Sequence, residues 1–142
     1  MSEPYILGIS GLYHDSAAAL VRGGEIVAAA QEERFTRKKH DRRFPGNAIN
    51  YCLGEAFIEP ADLELVAYYD NPWLTLDRVL RNFAAVAPRG REPFKAAIRS
   101  VLGEKLHVGD LIEAALGTRR PVCYVDHHIS HAASTFYPSP FA

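Results

Sequence analysis

Three histidines fall within five residues in YVDHHISHAAS, Tyr124 to Ser134, directly after the apolar run PVCYV. His127 and His131 are four apart. On a helix that spacing sets both imidazoles on one face, about 6 Å apart at Cβ, from which two side chains can chelate one metal ion. His128 would face elsewhere, where it could cap the helix, donate to a phosphate or pack. The competing reading is a polar helix N-terminus whose histidines meet carbonyls and solvent. Two imidazoles do not complete a metal site, so a third ligand would have to come from outside this motif.

Two further stretches have residue types suited to chemistry. In SGLYHDS, Ser10 to Ser16, Ser10 and Gly11 let the backbone approach a phosphate or carbonyl. His14 supplies a group that titrates near neutrality, with Asp15 beside it. An ordinary polar turn would use the same residues. EERFTRKKHDRRFP, Glu32 to Pro45, carries six Lys/Arg between Arg34 and Arg43. A solvated loop is the plain explanation, and the alternative is an anion-binding loop in which Lys39 or Arg34 folds over phosphate or nucleotide.

The elements that must position these groups can be read from the pattern of the chain. Tyr5–Ile9 is a short β-rich run. Ser16–Arg22 and Glu25–Gln31 flank Gly23-Gly24, a hairpin signal because a two-residue primed turn needs positive φ at its centre. Asn47–Phe57 has helical spacing, with Ile49, Cys52, Leu53 and Ala56 on one face. Leu63–Tyr69 reads as a fourth strand and Trp73–Ala87 as a helix. The helix carries an apolar stripe (Leu74, Leu76, Val79, Leu80 and Phe83) that predicts core packing. Pro93–Leu116 supports one or two helices broken near Gly103 or His107–Gly109, and Pro121–Val125 is a fifth strand. The order β-β-β-α-β-α(α)-β-α predicts an α/β fold with a mixed sheet and helices on both faces, the pattern of one ribonuclease-H-like lobe of the actin and Hsp70 superfamily. The last helix has barely begun when the sequence stops at Phe141-Ala142, so residues 1–142 are expected to be the first lobe of a longer polypeptide. Ligands of such sheets collect beyond the carboxyl ends of the parallel strands. Ser10–Asp15, Tyr69–Asn71 and Asp126–His131 would meet there.

Bulk composition narrows the classes. The chain has 142 residues, 48% hydrophobic and 23% charged, with a net charge of −1, which suits one globular unit and gives no reason to expect nucleic acid as the main partner. No basic n-region precedes an apolar h-region, and no run reaches the ~20 apolar residues of a membrane span. A cytoplasmic protein without a membrane partner is the expectation. Cys52 and Cys123 sit in apolar runs without metal or disulfide spacing and are expected to be buried.

Taken together, ILGISGLYHDSAAALV, EERFTRKKHD with FP after it, and VDHHISHAASTFYPSPF resemble the start of the NodU/CmcH family of O-carbamoyltransferases, which modify nodulation factors and antibiotics. The three motifs occur in order over essentially the whole chain. The resemblance implies an N-terminal domain similar to tRNA-threonylcarbamoyl transferases, completed by a second lobe and a C-terminal adenylate-forming domain. ATP and carbamoyl phosphate would give carbamoyl-adenylate, and the carbamoyl group would pass to a hydroxyl of a small natural-product-type acceptor. It further implies a divalent metal, Fe²⁺ ahead of Zn²⁺, on His127 and His131, with an aspartate supplied by the second lobe. His14 and Asp15 become the catalytic pair, while Lys39, Arg34, Ser10, Gly11 and His128 contact substrate or its anionic part. The chain alone would be inactive. Two rival readings stand beside this one. An actin-like sugar kinase or ATPase is opposed by the absence of an acidic-x-Gly-x-Thr/Ser phosphate loop. A non-catalytic binding or assembly module, self-associating as a homodimer through an exposed sheet edge, is the other.

Overall fold

Alternation along the strands decides which face of the sheet is covered. In the computed structural model, which describes residues 3–140, β1 (Tyr5–Ser10), β2 (Ala17–Arg22), β3 (Glu25–Gln31), β4 (Leu63–Tyr68) and β5 (Val122–Tyr124) form one sheet in the order β3-β2-β1-β4-β5. β1 pairs antiparallel with β2 and β2 with β3, whereas β1–β4 and β4–β5 are parallel. That mixed order is the expected ribonuclease-H-like arrangement. Gly23 and Gly24, at φ 56° and 88°, make the hairpin turn between β2 and β3.

Leu7, Ile9, Ala18, Leu20, Ala28, Val66 and Tyr68 point to one face and are buried. Helix α2 (Gly46–Ala56) closes over them with Ala48, Ile49, Cys52 and Leu53. Helix α5 (Val108–Leu116) adds Val108, Ile112 and Leu116 to the same core. The opposite face is built from small side chains. Gly8 stands in register with Ala19 and Ala67, and Ala19 with Ala29. These residues floor a groove of about 970 Å³, flanked by Ser130, Ala133 and Ser134 of α6 (His127–Phe136).

Three expectations fail. The apolar stripe of α3 (Pro72–Val86) does not enter the core: only Pro72 and Thr75 are buried, while Leu74 and Leu80 are exposed. α3 pairs instead with α4 (Arg91–Gly103), stacking Phe83 on Phe94 at 4.1 Å between ring centroids. A helical hairpin satisfies the same periodicity without reaching the sheet. Cys123 is exposed, because β5 is a three-residue edge strand with only β4 beside it, whereas Cys52 is buried as expected. The basic stretch also holds one helical turn, α1 (Glu33–Thr36), where a loop is expected. No helix among the described residues is long and apolar enough to cross a membrane. Phe141, which ends the third motif, lies outside the described residues.

Candidate active site at the carboxyl edge of the sheet

The parallel strands deliver three segments to one edge. Tyr69 N–H donates to the Ile9 carbonyl, and Val125 N–H to the Tyr68 carbonyl, so the exits of β1, β4 and β5 lie side by side. At the β5 exit, Asp126 is the N-cap of α6, accepting from the backbone N–H groups of His128 (2.9 Å) and Ile129 (3.4 Å). The first turn is thereby fixed, and His127 and His131 fall on one face. Their Nε2 atoms are 3.2 Å apart. Two nitrogens bound at ~2.0–2.1 Å to one tetrahedral ion stand ~3.3–3.4 Å apart, so the pair has close to chelating geometry before any ion arrives. Imidazole nitrogens suit iron and zinc alike. Among the described residues no third His, Cys, Asp or Glu completes the set. The His127 ring rests edge-on against Tyr69 at 5.4 Å, and its Nδ1 is buried without a hydrogen-bond partner among the described residues. His128 contributes its backbone to the cap, and its exposed ring stands edge-on to that of His127 at 5.8 Å without joining the Nε2 pair.

At the β1 exit, the SGLYHDS and RKKHDRR segments form one unit. Leu12 N–H donates to the Arg42 carbonyl and Ser16 N–H to the Asp41 carbonyl. Below them Tyr68 Oη donates to the Gly11 carbonyl at 2.9 Å. Burial pushes the Tyr68 phenol far up, so it remains a donor. Gly11 lets the two segments pack closely: an added Cβ would lie 3.2 Å from Pro45 Cδ, which would have to shift by a few tenths of an ångström. Glu32 is structural: it is buried, and its carboxylate accepts from Asn47 Nδ2 (2.6 Å) and Ala48 N–H (3.0 Å) at the start of α2.

This unit presents His14 and Asp15. Asp15 Oδ2 is 2.8 Å from His14 Nδ1, and Asp15 Oδ1 is 2.8 Å from Nδ1 of His40. The hydrogen bond from His40, followed by that from His14, holds the Asp15 carboxyl below its ordinary range. An ionised carboxylate only accepts, so both histidines donate from Nδ1 and leave Nε2 as the free nitrogen. His40 is the functional candidate that spacing misses, since its partner lies 25 residues earlier. Lys105 is a second. Its Nζ lies 3.9 Å from the Asp70 carboxylate and 5.8 Å from the centre of the Tyr13 ring, which itself packs on His14 at 4.5 Å. Tyr69 adjoins Asp70, and its phenol is pushed up to about 12, first by burial and then by that carboxylate. A relay of contacts thus runs from His14 through Tyr13, Lys105, Asp70 and Tyr69 to His127.

The remaining candidates divide. Ser10 and Arg34 line the small-residue groove beside Tyr69, and the Gly11 carbonyl is engaged by Tyr68. Lys39 is exposed and has no ion-pair partner among the described residues. Asp41 is a brace: buried, it accepts Arg43 Nη2 at 2.7 Å and Arg43 Nε at 3.1 Å. The Arg43 guanidinium holds its carboxyl well below the usual carboxylate range. A carboxyl depressed by folding stabilises above its unfolded pKa of about 3.9, and that contribution fades as pH falls through the folded value. Denaturation of Arg43→Gln beside the wild type should therefore show a stability gap that is constant near neutrality and narrows below about pH 4. A gap that widens on acidification would contradict the brace.

Residues 5–142 match the family described as "Carbamoyltransferase N-terminus". The chain is 50% identical to uncharacterized protein sll1178 of Synechocystis sp., over 96% of this chain and 24% of that protein. It is 34% identical to nodulation protein NolNO of Sinorhizobium fredii, over 90% of this chain and 18% of that protein. The chain thus spans about a quarter or less of these two relatives. Among solved structures, YeaZ from Pseudomonas aeruginosa aligns with a TM-score of 0.43 at 16% identity, covering 87% of this chain and 43% of that one. Strand order, β3-β2-β1-β4-β5, defines the fold independently of that superposition. With the family matched from the first strand through the histidine helix, the chain belongs to the carbamoyltransferase N-terminus family.

Proposed function

We propose that the full-length protein is an O-carbamoyltransferase, which moves a carbamoyl group from carbamoyl-adenylate, made from carbamoyl phosphate and ATP, to a hydroxyl of a small-molecule acceptor. The observation that carries this reading is the convergence of the His127 and His131 Nε2 atoms on the same sheet edge as the Asp15-anchored His14. His127 and His131 would hold a divalent ion, which when bound supplies Lewis-acid polarisation of a carbonyl oxygen.

The chain's own residues account for the proton. Asp15 occupies Nδ1 of His14, so Nε2 receives the acceptor's hydroxyl proton as the new O–C bond forms to the carbamoyl carbon. The bond from that carbon to the adenylate phosphate oxygen breaks, and the phosphate departs as a stable anion that needs no proton. Lys39, without a competing carboxylate among the described residues, and Arg34 at the groove are the cations for that charge. Tyr69 stays neutral, and its half-buried side chain at the groove can donate from the hydroxyl. Little acid strength is asked of the protein, so positioning supplies most of the rate.

The test is an assay of the full-length protein with radiolabelled carbamoyl phosphate, ATP and a panel of hydroxyl-bearing sugars and glycosides. Label transferred to an acceptor with matching AMP release is expected. Release of ADP with a phosphorylated acceptor would overturn the reading in favour of a kinase.

A further inference from the structure

Four of the five non-glycine residues with positive φ among the described residues lie in the two loops that meet at Asp15: Leu12 (68°), Asp15 (50°), Arg37 (57°) and His40 (56°). That region costs an ordinary side chain such as Leu12 or Arg37 about 1 kcal/mol or more and is better tolerated by Asp and His, so the loops keep this shape where the surroundings enforce it. Here the enforcement is visible. The His40 backbone N–H donates to the Glu33 carboxylate at 3.0 Å, Arg37 N–H closes α1 on the Glu33 carbonyl, and Leu12 and Ser16 are tied to the 41–42 backbone. All of these restraints direct the His40 ring onto the second oxygen of Asp15, although the ring itself is exposed and buries little apolar surface. A mobile surface loop would have no reason to hold an exposed imidazole this way.

We propose that His40 is a positioning residue for His14: by donating from Nδ1 to Asp15 Oδ1, it fixes the carboxylate so that Oδ2 locks His14 as the Nδ1–H tautomer. The inference rests on the reading of His14 as the base, and it deepens that reading. With one oxygen held by His40, the carboxylate cannot rotate to offer His14 a poorer angle. His14 Nε2 therefore keeps both its lone pair and its direction. Without His40, Asp15 is pinned from one side only and the His14 ring can flip or exchange tautomers.

The experiment uses full-length protein labelled with ¹⁵N in histidine, the His14 signals being identified by their loss in His14→Asn. In the wild type, His14 should show the Nδ1–H pattern. In His40→Ala it should become a mixture, and kcat should fall ~10–100-fold with KM little changed, the size of effect known for outer partners that orient metal-bound histidines. His40→Asn places an amide N–H where Nδ1 stood and tolerates positive φ, so it should restore both the tautomer and the rate. Unchanged His14 shifts and kcat in His40→Ala would overturn the proposal, as would an Asn variant no better than the Ala variant. If His40→Ala does not fold, the Asn variant alone decides: loss of the Nδ1–H pattern there refutes the role. The nitrogen shifts are read in resting protein, so a failure of the carbamoyl-transfer reading leaves this result distinguishable.

Discussion

Full-length protein carrying His131→Ala should bind Fe²⁺ or Zn²⁺ more than ~100-fold more weakly than the wild type, beyond the 10–100-fold that loss of an outer partner costs. The reason is the 3.2 Å separation of the two Nε2 atoms. Asp126 caps the helix, the cap sets the first turn, and the i,i+4 spacing then brings the imidazoles together with no rearrangement left to make. Removing either ring leaves a single donor that no other described His, Cys, Asp or Glu can complement. His128→Ala is the control. Its ring is exposed and only its backbone serves the cap, so metal affinity should change less than about threefold. Metal titration followed by calorimetry or anomalous scattering reads both variants. Equal losses in the two would mean that the histidines act through charge and not as a chelate.

The second large effect belongs to His14. His14→Asn should lower kcat ~10²–10⁴-fold with a small change in KM, the span attributed to a general base in the transition state. Asparagine retains a donor near Nδ1, so the bond to Asp15 and the loop survive while the Nε2 lone pair disappears. A pH profile separates the two roles. If His14 is the base, a rising acid limb of kcat is expected of the wild type and should be absent from the variant. A variant with near-wild-type turnover would remove His14 from the chemistry.

Local patterns announced the sheet and one of the two clusters. Gly23-Gly24 marks the hairpin, the βαβ alternation orders β1, β4 and β5, and HxxxH after an apolar run already implies a shared helix face. What escaped depends on contacts far apart in sequence. His40 is unremarkable in RKKHD, and its meaning comes from Asp15, placed opposite it by the zipped loops. The Tyr68 hydroxyl supporting the Gly11 carbonyl spans 57 positions, and Lys105 reaches Asp70 from a single turn of 3₁₀ helix between α4 and α5. The α3 stripe misled because periodicity specifies that a face will be covered, not by what. Phe94 covers Phe83 where the sheet was expected to. Cys123 misled for a related reason, since an apolar run on an edge strand need not be buried on both faces.

Histidines leaving two different strands are held to share one reaction centre, and a crystal structure of the metal-loaded full-length protein with an unreactive carbamoyl-adenylate analogue addresses that directly. The ion should sit on Nε2 of both His127 and His131, with the carbamoyl group lying between it and Nε2 of His14. An analogue bound with His14 turned away from the carbamoyl carbon, or an ion seated elsewhere while the paired imidazoles stay empty, would contradict it.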